Sequence, residues 1–233
     1  MQEDKGQRRR RLTDRLNILR DRIRFIEQEL LEYTNDFYRV CIFGSARIKQ
    51  DDELYKITEE LAHLLGHQGI DVLTGGGPGL MEAANKGLTE GRNETRSKSK
   101  SFGLSIQGGI EAKHTNMHLD IKQHHRTFST RLDDFMRLSN AVVVMPGGIG
   151  TLLELYFFWQ LLQIGHLTSR PIILIHAKFW QGLLDWMRKQ QIDRGLVGPT
   201  DMRWIHVVET PAEALAIIKV EHQKFLDRKE AIT

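Results

Sequence analysis

The sequence predicts an α/β protein in which a parallel β-sheet carries helices on both faces. Short hydrophobic runs alternate with amphipathic helical segments along most of the chain, which is the pattern of successive β-α-β units. Glycine-bearing turns follow three of the hydrophobic runs, at the points where strands of such a sheet end. The chain has 233 residues, 40% of them hydrophobic and 27% charged, which suffices for one large domain with its own core.

Residues 1–37 differ from this alternation. Apolar residues from Leu12 to Phe37 recur in alternating steps of four and three, and the basic run Arg8–Arg11 precedes them. This heptad seam predicts an amphipathic helix over 12–37 that lies on its own domain or packs against a second chain. The chain is therefore divided into a basic tail with a heptad helix, 1–37, and one domain, 38–233. No RNA- or DNA-binding motif accompanies the basic run, so we interpret it as a solvated tail and expect no nucleic-acid partner.

The elements of the domain follow one another between turn residues. Strands are predicted where aliphatic residues run together, and helices where apolar residues recur at three- and four-residue spacing. Residues 92–100 are polar and basic, and we expect an exposed loop there. The predicted strands are 38–43, 70–74, 102–106, 119–122, 141–145, 171–176 and 204–208, and the predicted helices are 52–65, 80–88, 127–138, 150–164, 179–190 and 211–226.

Composition excludes several classes of protein. The sole cysteine, Cys41, falls in the first predicted strand, so we expect a buried side chain and no disulfide within the chain. Trp180, Trp186 and Trp204 are interpreted as core residues. The sequence contains no apolar stretch long enough for a membrane span and no charged-then-apolar leader, so a cytoplasmic protein without a membrane partner is expected.

The glycine turns lack the two common nucleotide fingerprints. The turns Gly75–Gly79 and Pro146–Thr151 do not fit G-x-G-x-x-G, and neither is followed by G-K-[ST]. A nicotinamide or flavin dinucleotide and a nucleoside-triphosphate P-loop are therefore not expected. Two such turns indicate a small phosphorylated ligand, such as a mononucleotide.

The segment Val142–Glu154 is the most informative in the chain. A hydrophobic run ends in Pro146-Gly147-Gly148-Ile149-Gly150-Thr151 and opens an apolar helix, an arrangement that holds phosphate at a helix N-terminus. Glu154 is expected in the first turn of that helix. Thr151-x-x-Glu154 also fits a capping box, in which the glutamate is purely structural. The same pattern at Thr210–Glu213 is assigned to capping alone.

These residues resemble the LONELY GUY family. Residues 146–154 match its P-G-G-x-G-T-x-x-E signature, residues 43–47 and 75–85 are similar to its first two turns, and residues 128–131 resemble its F-x-x-R-K segment. The resemblance implies a Rossmann-like fold and a phosphoribohydrolase. Such an enzyme hydrolyses the N-glycosidic bond of a nucleoside 5′-monophosphate, AMP or a cytokinin ribotide, to a free base and ribose 5-phosphate.

The family pattern transfers residue by residue. It implies no cofactor and no metal, a small-molecule nucleotide substrate, and a homodimer or a larger assembly of dimers. The implied catalytic residues are Arg131 and Glu154, the implied phosphate-binding residues are Gly147, Gly148, Gly150 and Thr151, and the further implied nucleotide-binding positions are Gly44, Ser45, Gly76, Gly77, Glu111 and Asn116.

Alternatives remain open at this stage. Arg131 alone also fits a surface ion pair with Asp133 or Asp134, and a strand carrying His124 and His125 would point them to opposite faces, away from a shared metal. Glu154 either stabilises charge on the ribose or acts on the attacking water. A non-catalytic nucleotide-phosphate or molybdenum-cofactor carrier is the alternative function. The decarboxylase label given to relatives requires a pyridoxal-binding lysine, which the turns lack.

Overall fold

The computed structural model describes residues 6, 12–20, 23, 37–107 and 114–231. The chain divides into two units, Met1–Phe37 and Tyr38–Thr233. In the first unit, residues 12–20 are helical and Phe37 lies in a bend, so the predicted helix does not extend to Phe37. Most of the heptad seam beyond residue 23 and the run Arg8–Arg11 lie outside the described residues.

The second unit is built on a seven-stranded, all-parallel sheet, which confirms the predicted α/β, Rossmann-like class. Its spatial order is β4-β3-β2-β1-β5-β6-β7. The strands are β1 Arg39–Phe43, β2 Asp71–Thr74, β3 Ser101–Ile106, β4 Ile121–His125, β5 Ala141–Val144, β6 Ile172–Ile175 and β7 Ile205–Val208.

Helices cover both faces of the sheet, and each face has its own hydrophobic cluster. Alternate residues of β1 point to opposite sides, so Val40 and Ile42 join one cluster while Cys41 and Phe43 join the other. Cys41 is fully buried, as predicted. The α-helices of this unit are α1 Glu53–His67, α2 Leu80–Thr95, α3 Phe128–Leu138, α4 Ile149–Gln163, α5 Ala177–Met187 and α6 Pro211–Glu230.

Helix α2 is longer than predicted, so the expected loop at 92–100 is wrong for residues 92–95 and confirmed for residues 96–100. The helix continues through Thr95 and ends where Arg96 adopts a left-handed conformation, with φ of 55°. The Arg92 guanidinium donates to the Ser99 carbonyl (3.1 Å), and Ser99 is fully buried. The polar residues 92–95 therefore form the solvent-exposed last turn of α2.

Three further sequence predictions are corrected at the edges of elements. Strand β4 spans Ile121–His125 instead of the predicted 119–122. The prediction was displaced because this edge strand is mostly exposed and carries no apolar run. Helix α5 ends at Met187 and passes into a π-helical turn, Arg188–Ile192. Trp186 is 51% exposed and is not a core residue, whereas Trp180 and Trp204 are buried as predicted.

The strand order creates a crevice beside β1. The chain builds β1 to β4 outward to one edge, then returns to place β5 on the other side of β1. The connections that leave β1 and β5 therefore diverge at their carboxyl ends, which is where open α/β sheets bind ligands. No helix in the described part of the chain is both long and apolar enough to cross a membrane.

Candidate active site

The three predicted glycine turns meet at the carboxyl edge of the sheet. The Ser45 N–H donates to the Pro146 carbonyl (3.2 Å), and the Leu80 N–H donates to the Ser45 carbonyl (3.0 Å). Gly79 has φ of +69°, and a Cβ there would lie 2.6 Å from the Ser45 carbonyl oxygen. Only glycine permits this approach. The two hydrogen bonds of Ser45 therefore hold the first turn between the second and the third.

A buried polar network supports the second turn. The Thr74 hydroxyl accepts from the Gly76 N–H (2.9 Å) and donates to Asn85 Oδ1 (2.7 Å). The Asn116 amide donates to the Gly77 carbonyl (3.0 Å) and to Asn85 Oδ1 (3.0 Å). Asn116, predicted to face the nucleotide, is buried, and these bonds direct it to the turn. Asn85 is the last residue of the second turn's motif, and the structure makes it the centre of this network.

The third turn presents an open helix N-terminus. Helix α4 begins at Ile149 after Gly148, which provides no side-chain cap. Gly147 packs so closely on Thr151 that a Cβ would lie 2.2 Å from Oγ1, whereas Gly148 and Gly150 have open space around them. The first N–H groups of a helix lack intrahelical partners and carry partial positive charge. This turn is therefore suited to an anion such as phosphate.

Glu154 does not cap this helix. Because α4 begins at Ile149, Thr151 lies inside the helix and Glu154 lies in its second turn, so the capping interpretation and the expected first-turn position are both wrong. The identical pattern does form a capping box at α6, as predicted. There the Glu213 carboxylate accepts from the Thr210 N–H (3.2 Å), and the Glu213 N–H donates to the Thr210 hydroxyl (3.2 Å).

Arg131 and Glu154 form a buried ion pair between α3 and α4. Nη2 of Arg131 donates to Oε1 of Glu154 (3.3 Å), and the side chains are only 4% and 12% exposed. The guanidinium also lies 4.8 Å from the ring centroid of Phe128. The alternative of a surface ion pair is wrong, because the Arg131 side chain is buried and reaches Glu154, whereas Asp134 bonds Arg137 (2.8 Å).

Cys41, His124 and His125 are further titratable groups, and none of them is part of the Arg131–Glu154 pair. Burial raises the pKa of the Cys41 thiol, and the Glu154 charge raises it further, so this thiol stays protonated and is no nucleophile. His124 Nδ1 lies 2.6 Å from the Ser105 hydroxyl, whereas His125 Nε2 lies 3.6 Å from Asp134. Burial lowers the pKa of His125. The two histidines have separate partners, as their alternation on one strand predicts.

The remaining predicted positions in the first two turns shape the backbone of those turns. A Cβ at Gly44 would lie 2.9 Å from Leu80 Cδ1, so this glycine allows α2 to approach β1. The Ser45 hydroxyl accepts from the Arg47 N–H (3.1 Å) and shapes the first turn. Gly76 has φ of +73°, which accounts for glycine there. Glu111 lies outside the described residues.

Comparison with known proteins places the chain among nucleotide-hydrolysing relatives. A pyrimidine/purine nucleotide 5′-monophosphate nucleosidase of Escherichia coli K12 is 30% identical over 125 residues, 53% of this chain. This chain spans only 27% of that relative's length. A cytokinin riboside 5′-monophosphate phosphoribohydrolase of Arabidopsis thaliana is 24% identical over 202 residues, covering 84% of this chain and 91% of the relative.

Solved structures share the fold at low identity. The molybdenum cofactor binding protein of Rippkaea orientalis has a TM-score of 0.59 and 18% identity, covering 79% of this chain and 96% of its own. The molybdenum cofactor carrier protein of Chlamydomonas reinhardtii has a TM-score of 0.57 and 19% identity, covering 80% and 99%. At such identities the likeness establishes the architecture alone.

The family model described as "Possible lysine decarboxylase" matches residues 81–218, more than half of the chain. The matched segment contains Arg131, the whole of the third turn and Glu154. It also contains strands β3 to β7, so the match covers most of the sheet as well as the ion pair. The chain therefore belongs to this family, that of the LONELY GUY proteins.

Proposed function

We propose that this protein hydrolyses the N-glycosidic bond of a nucleoside 5′-monophosphate, AMP or a cytokinin ribotide, to a free base and ribose 5-phosphate. The observation that carries this proposal is the pair that Arg131 of α3 forms with Glu154 of α4, because α4 is the helix whose open N-terminus suits a phosphate. Gly150 and Glu154 are four residues apart on α4, so they share one face, about 6 Å apart along the axis. A nucleotide needs such an arrangement, since its sugar separates the phosphate from the bond that breaks.

Glu154 is proposed as the group that acts at the ribose. As the glycosidic bond breaks, positive charge develops on the sugar and negative charge on the leaving base. A carboxylate in this position either stabilises the sugar cation or orients and deprotonates the attacking water. Arg131 restrains the carboxylate through its 3.3 Å contact and adds positive charge close to the bound phosphate.

The glycine turns are proposed as the nucleotide cradle. Backbone N–H groups at Gly147, Gly148 and Gly150 and the hydroxyl of Thr151 bind the phosphate in this scheme. Gly148 and Gly150 are exposed and have room for it. The first two turns enclose the rest of the nucleotide through Gly44, Ser45, Gly76 and Gly77. Asn116 acts indirectly, by fixing the Gly77 carbonyl (3.0 Å).

Decarboxylation, the activity in the family description, does not fit the residues present. A pyridoxal-dependent decarboxylase holds its cofactor on a lysine as a Schiff base. The three turns, 44–47, 75–79 and 146–151, contain no lysine, and the group beside the third turn is a carboxylate already paired with arginine. We therefore derive no step through such a cofactor.

A homodimer, or a larger assembly of dimers, is part of the proposal. Helix α4 is apolar on nearly all sides, and Ile149, Leu153 and Ile164 are 88%, 44% and 51% exposed. A helix of this kind requires cover on its outer face. A second copy of the chain provides that cover in our scheme and brings the subunit contact close to Glu154.

We also propose a cytoplasmic location and a small-molecule substrate.

AMP and adenosine form the decisive pair of substrates, because they differ only in the phosphate. The protein is incubated with each, and released adenine is separated by chromatography, with Glu154→Gln protein as the blank for contaminating nucleosidases. We expect adenine and ribose 5-phosphate from AMP and far slower release from adenosine, since remote phosphate binding contributes to the rate. Equal rates would overturn the phosphate anchor. Binding of AMP without adenine release would instead support the non-catalytic carrier.

A further inference from the structure

A cluster of side chains that can act as metal ligands lies between α1 and α2. His63 and His67 are four residues apart on α1, so both rings project from one face of that helix. Glu94 of α2 meets both of them, with Oε1 3.1 Å from His63 Nε2 and Oε2 2.7 Å from His67 Nε2. One ligand atom from each residue lies within 4.8 Å of the other two.

This geometry suits a tetrahedral metal ion. Zinc–nitrogen and zinc–oxygen bonds of about 2.0–2.2 Å place neighbouring ligand atoms about 3.3 Å apart. One ligand atom of each residue already lies within 4.8 Å of the other two, so side-chain rotation suffices to bring the three atoms to this spacing. The side chains are 29%, 34% and 59% exposed, so water has access to the fourth position. Two imidazoles and one carboxylate are a donor set that zinc accepts.

The helices that carry the cluster are fixed against each other by glycine. A Cβ at Gly91 would lie 2.1 Å from the His63 carbonyl oxygen, and one at Gly87 would lie 2.1 Å from the Glu59 carbonyl oxygen. The backbones of α1 and α2 are therefore in direct contact beside His63. Because Glu94 follows Gly91 by one helical turn, this contact holds the three ligands in place before any ion binds.

The cluster is separate from the candidate active site. Helix α2 begins at Leu80 beside the glycine turns and runs for 16 residues, about 24 Å, before it ends at Thr95. Glu94 therefore lies at the end of α2 remote from the turns. We propose that His63, His67 and Glu94 form a binding site for a divalent transition-metal ion, with Zn²⁺ as the best match, which cross-links α1 to α2.

The test is calorimetric titration of tag-free, EDTA-dialysed protein with Zn²⁺ and, separately, with Mg²⁺. One equivalent of Zn²⁺ is expected to bind and to raise the melting temperature, since an ion bound only by the folded state stabilises it. Mg²⁺ prefers oxygen ligands and is expected not to bind. His67→Ala and Glu94→Gln are each expected to weaken Zn²⁺ binding at least about tenfold, and circular dichroism checks that they fold.

His166→Ala is the matched control, because His166 is also exposed but lies outside the cluster. It is expected to bind Zn²⁺ like the unchanged protein. Failure of the unchanged protein to bind Zn²⁺ would overturn the proposal and leave the cluster as hydrogen-bonded ion pairs. Zn²⁺ binding unaffected by the double change His63→Ala/His67→Ala would overturn it equally, by placing the ion elsewhere.

Discussion

At the scale of single residues, the Arg131–Glu154 pair is notable because it lies beside an open helix N-terminus. Removing both charges from water is expensive, and the attraction between them often fails to offset that loss. Apolar residues at these positions would serve stability as well. A chain that keeps a buried pair beside an open helix N-terminus has a use for the charges, and such pairs cluster at functional sites.

The first prediction concerns these two side chains. Glu154→Gln and Arg131→Ala are each expected to lower turnover of AMP at least about a hundredfold, the usual effect of losing charge stabilisation in a transition state. Because Glu154 lies in the second turn of α4 and caps nothing, Glu154→Gln is expected to keep the fold. Steady-state rates and thermal unfolding measure the two effects.

Asp133→Asn provides the control, since Asp133 is exposed and close to Arg131 in sequence. Its turnover is expected to match that of the unchanged protein. Full activity of Glu154→Gln would remove Glu154 from the mechanism, and an equal loss in Asp133→Asn would point to general electrostatics instead of a specific pair.

At the scale of elements, the sequence predicted what local periodicity determines. The central strands β1, β2, β5 and β6 consist mainly of hydrophobic residues because both their faces are buried, and the sequence predicts all four. The prediction displaced the exposed edge strand β4 and missed the polar end of α2, since tertiary contacts define both. The Thr151–Glu154 pattern was ambiguous for a related reason. Whether it caps depends on where the helix begins, and Gly148 determines that.

The candidate site was predictable as a motif but not as a network. Its turns and its charged pair were identified by resemblance, and the strand order explains why the turns converge. The role of Asn85 was not predicted, because a buried asparagine in a helical pattern gives no local signal. Its contacts with Thr74 (2.7 Å), Ser101 (2.8 Å) and Asn116 (3.0 Å) reveal its function in the turn.

The second prediction compares two helical glycines. Gly87→Ala is expected to destabilise the protein by about 1–3 kcal/mol, because the new methyl group would press on the α1 backbone 2.1 Å away. Gly182→Ala in α5 is expected to stabilise it by about 0.5–1 kcal/mol, because open space surrounds Gly182 and alanine favours the helix. Denaturant unfolding measures both, and similar effects at the two positions would contradict the close packing of α1 and α2.

At the scale of the whole molecule, the chain adds a heptad segment to an α/β domain. In the helical segment 12–20, Leu12, Leu16 and Leu19 are 59%, 48% and 56% exposed. An isolated helix gains little stability in water, so we expect a partner surface to cover this segment. Its position before the first core strand indicates an added element. We interpret it as an extension of the proposed contact between subunits.

The third prediction is therefore that deletion of residues 1–37 weakens assembly. Light scattering is expected to give a smaller or concentration-dependent mass, and activity is expected to fall with the mass if the site is shared between subunits. An unchanged mass with a lowered melting temperature would instead place the helix on its own domain. Circular dichroism of the shortened protein checks that the sheet remains folded.

The strand order also has a consequence for biosynthesis. Val40 of β1 pairs with Ala141 of β5, and the Arg39 N–H donates to Asn140, 101 residues further along the chain. Chains emerge from the ribosome at about 5–20 residues per second, so about 5–20 s pass between these two segments. Throughout that interval one edge of β1 lacks its neighbour, and its unpaired N–H and C=O groups are a template on which other strands can pair. The first half of the newborn chain thus carries an unpaired strand edge until β5 has been synthesised.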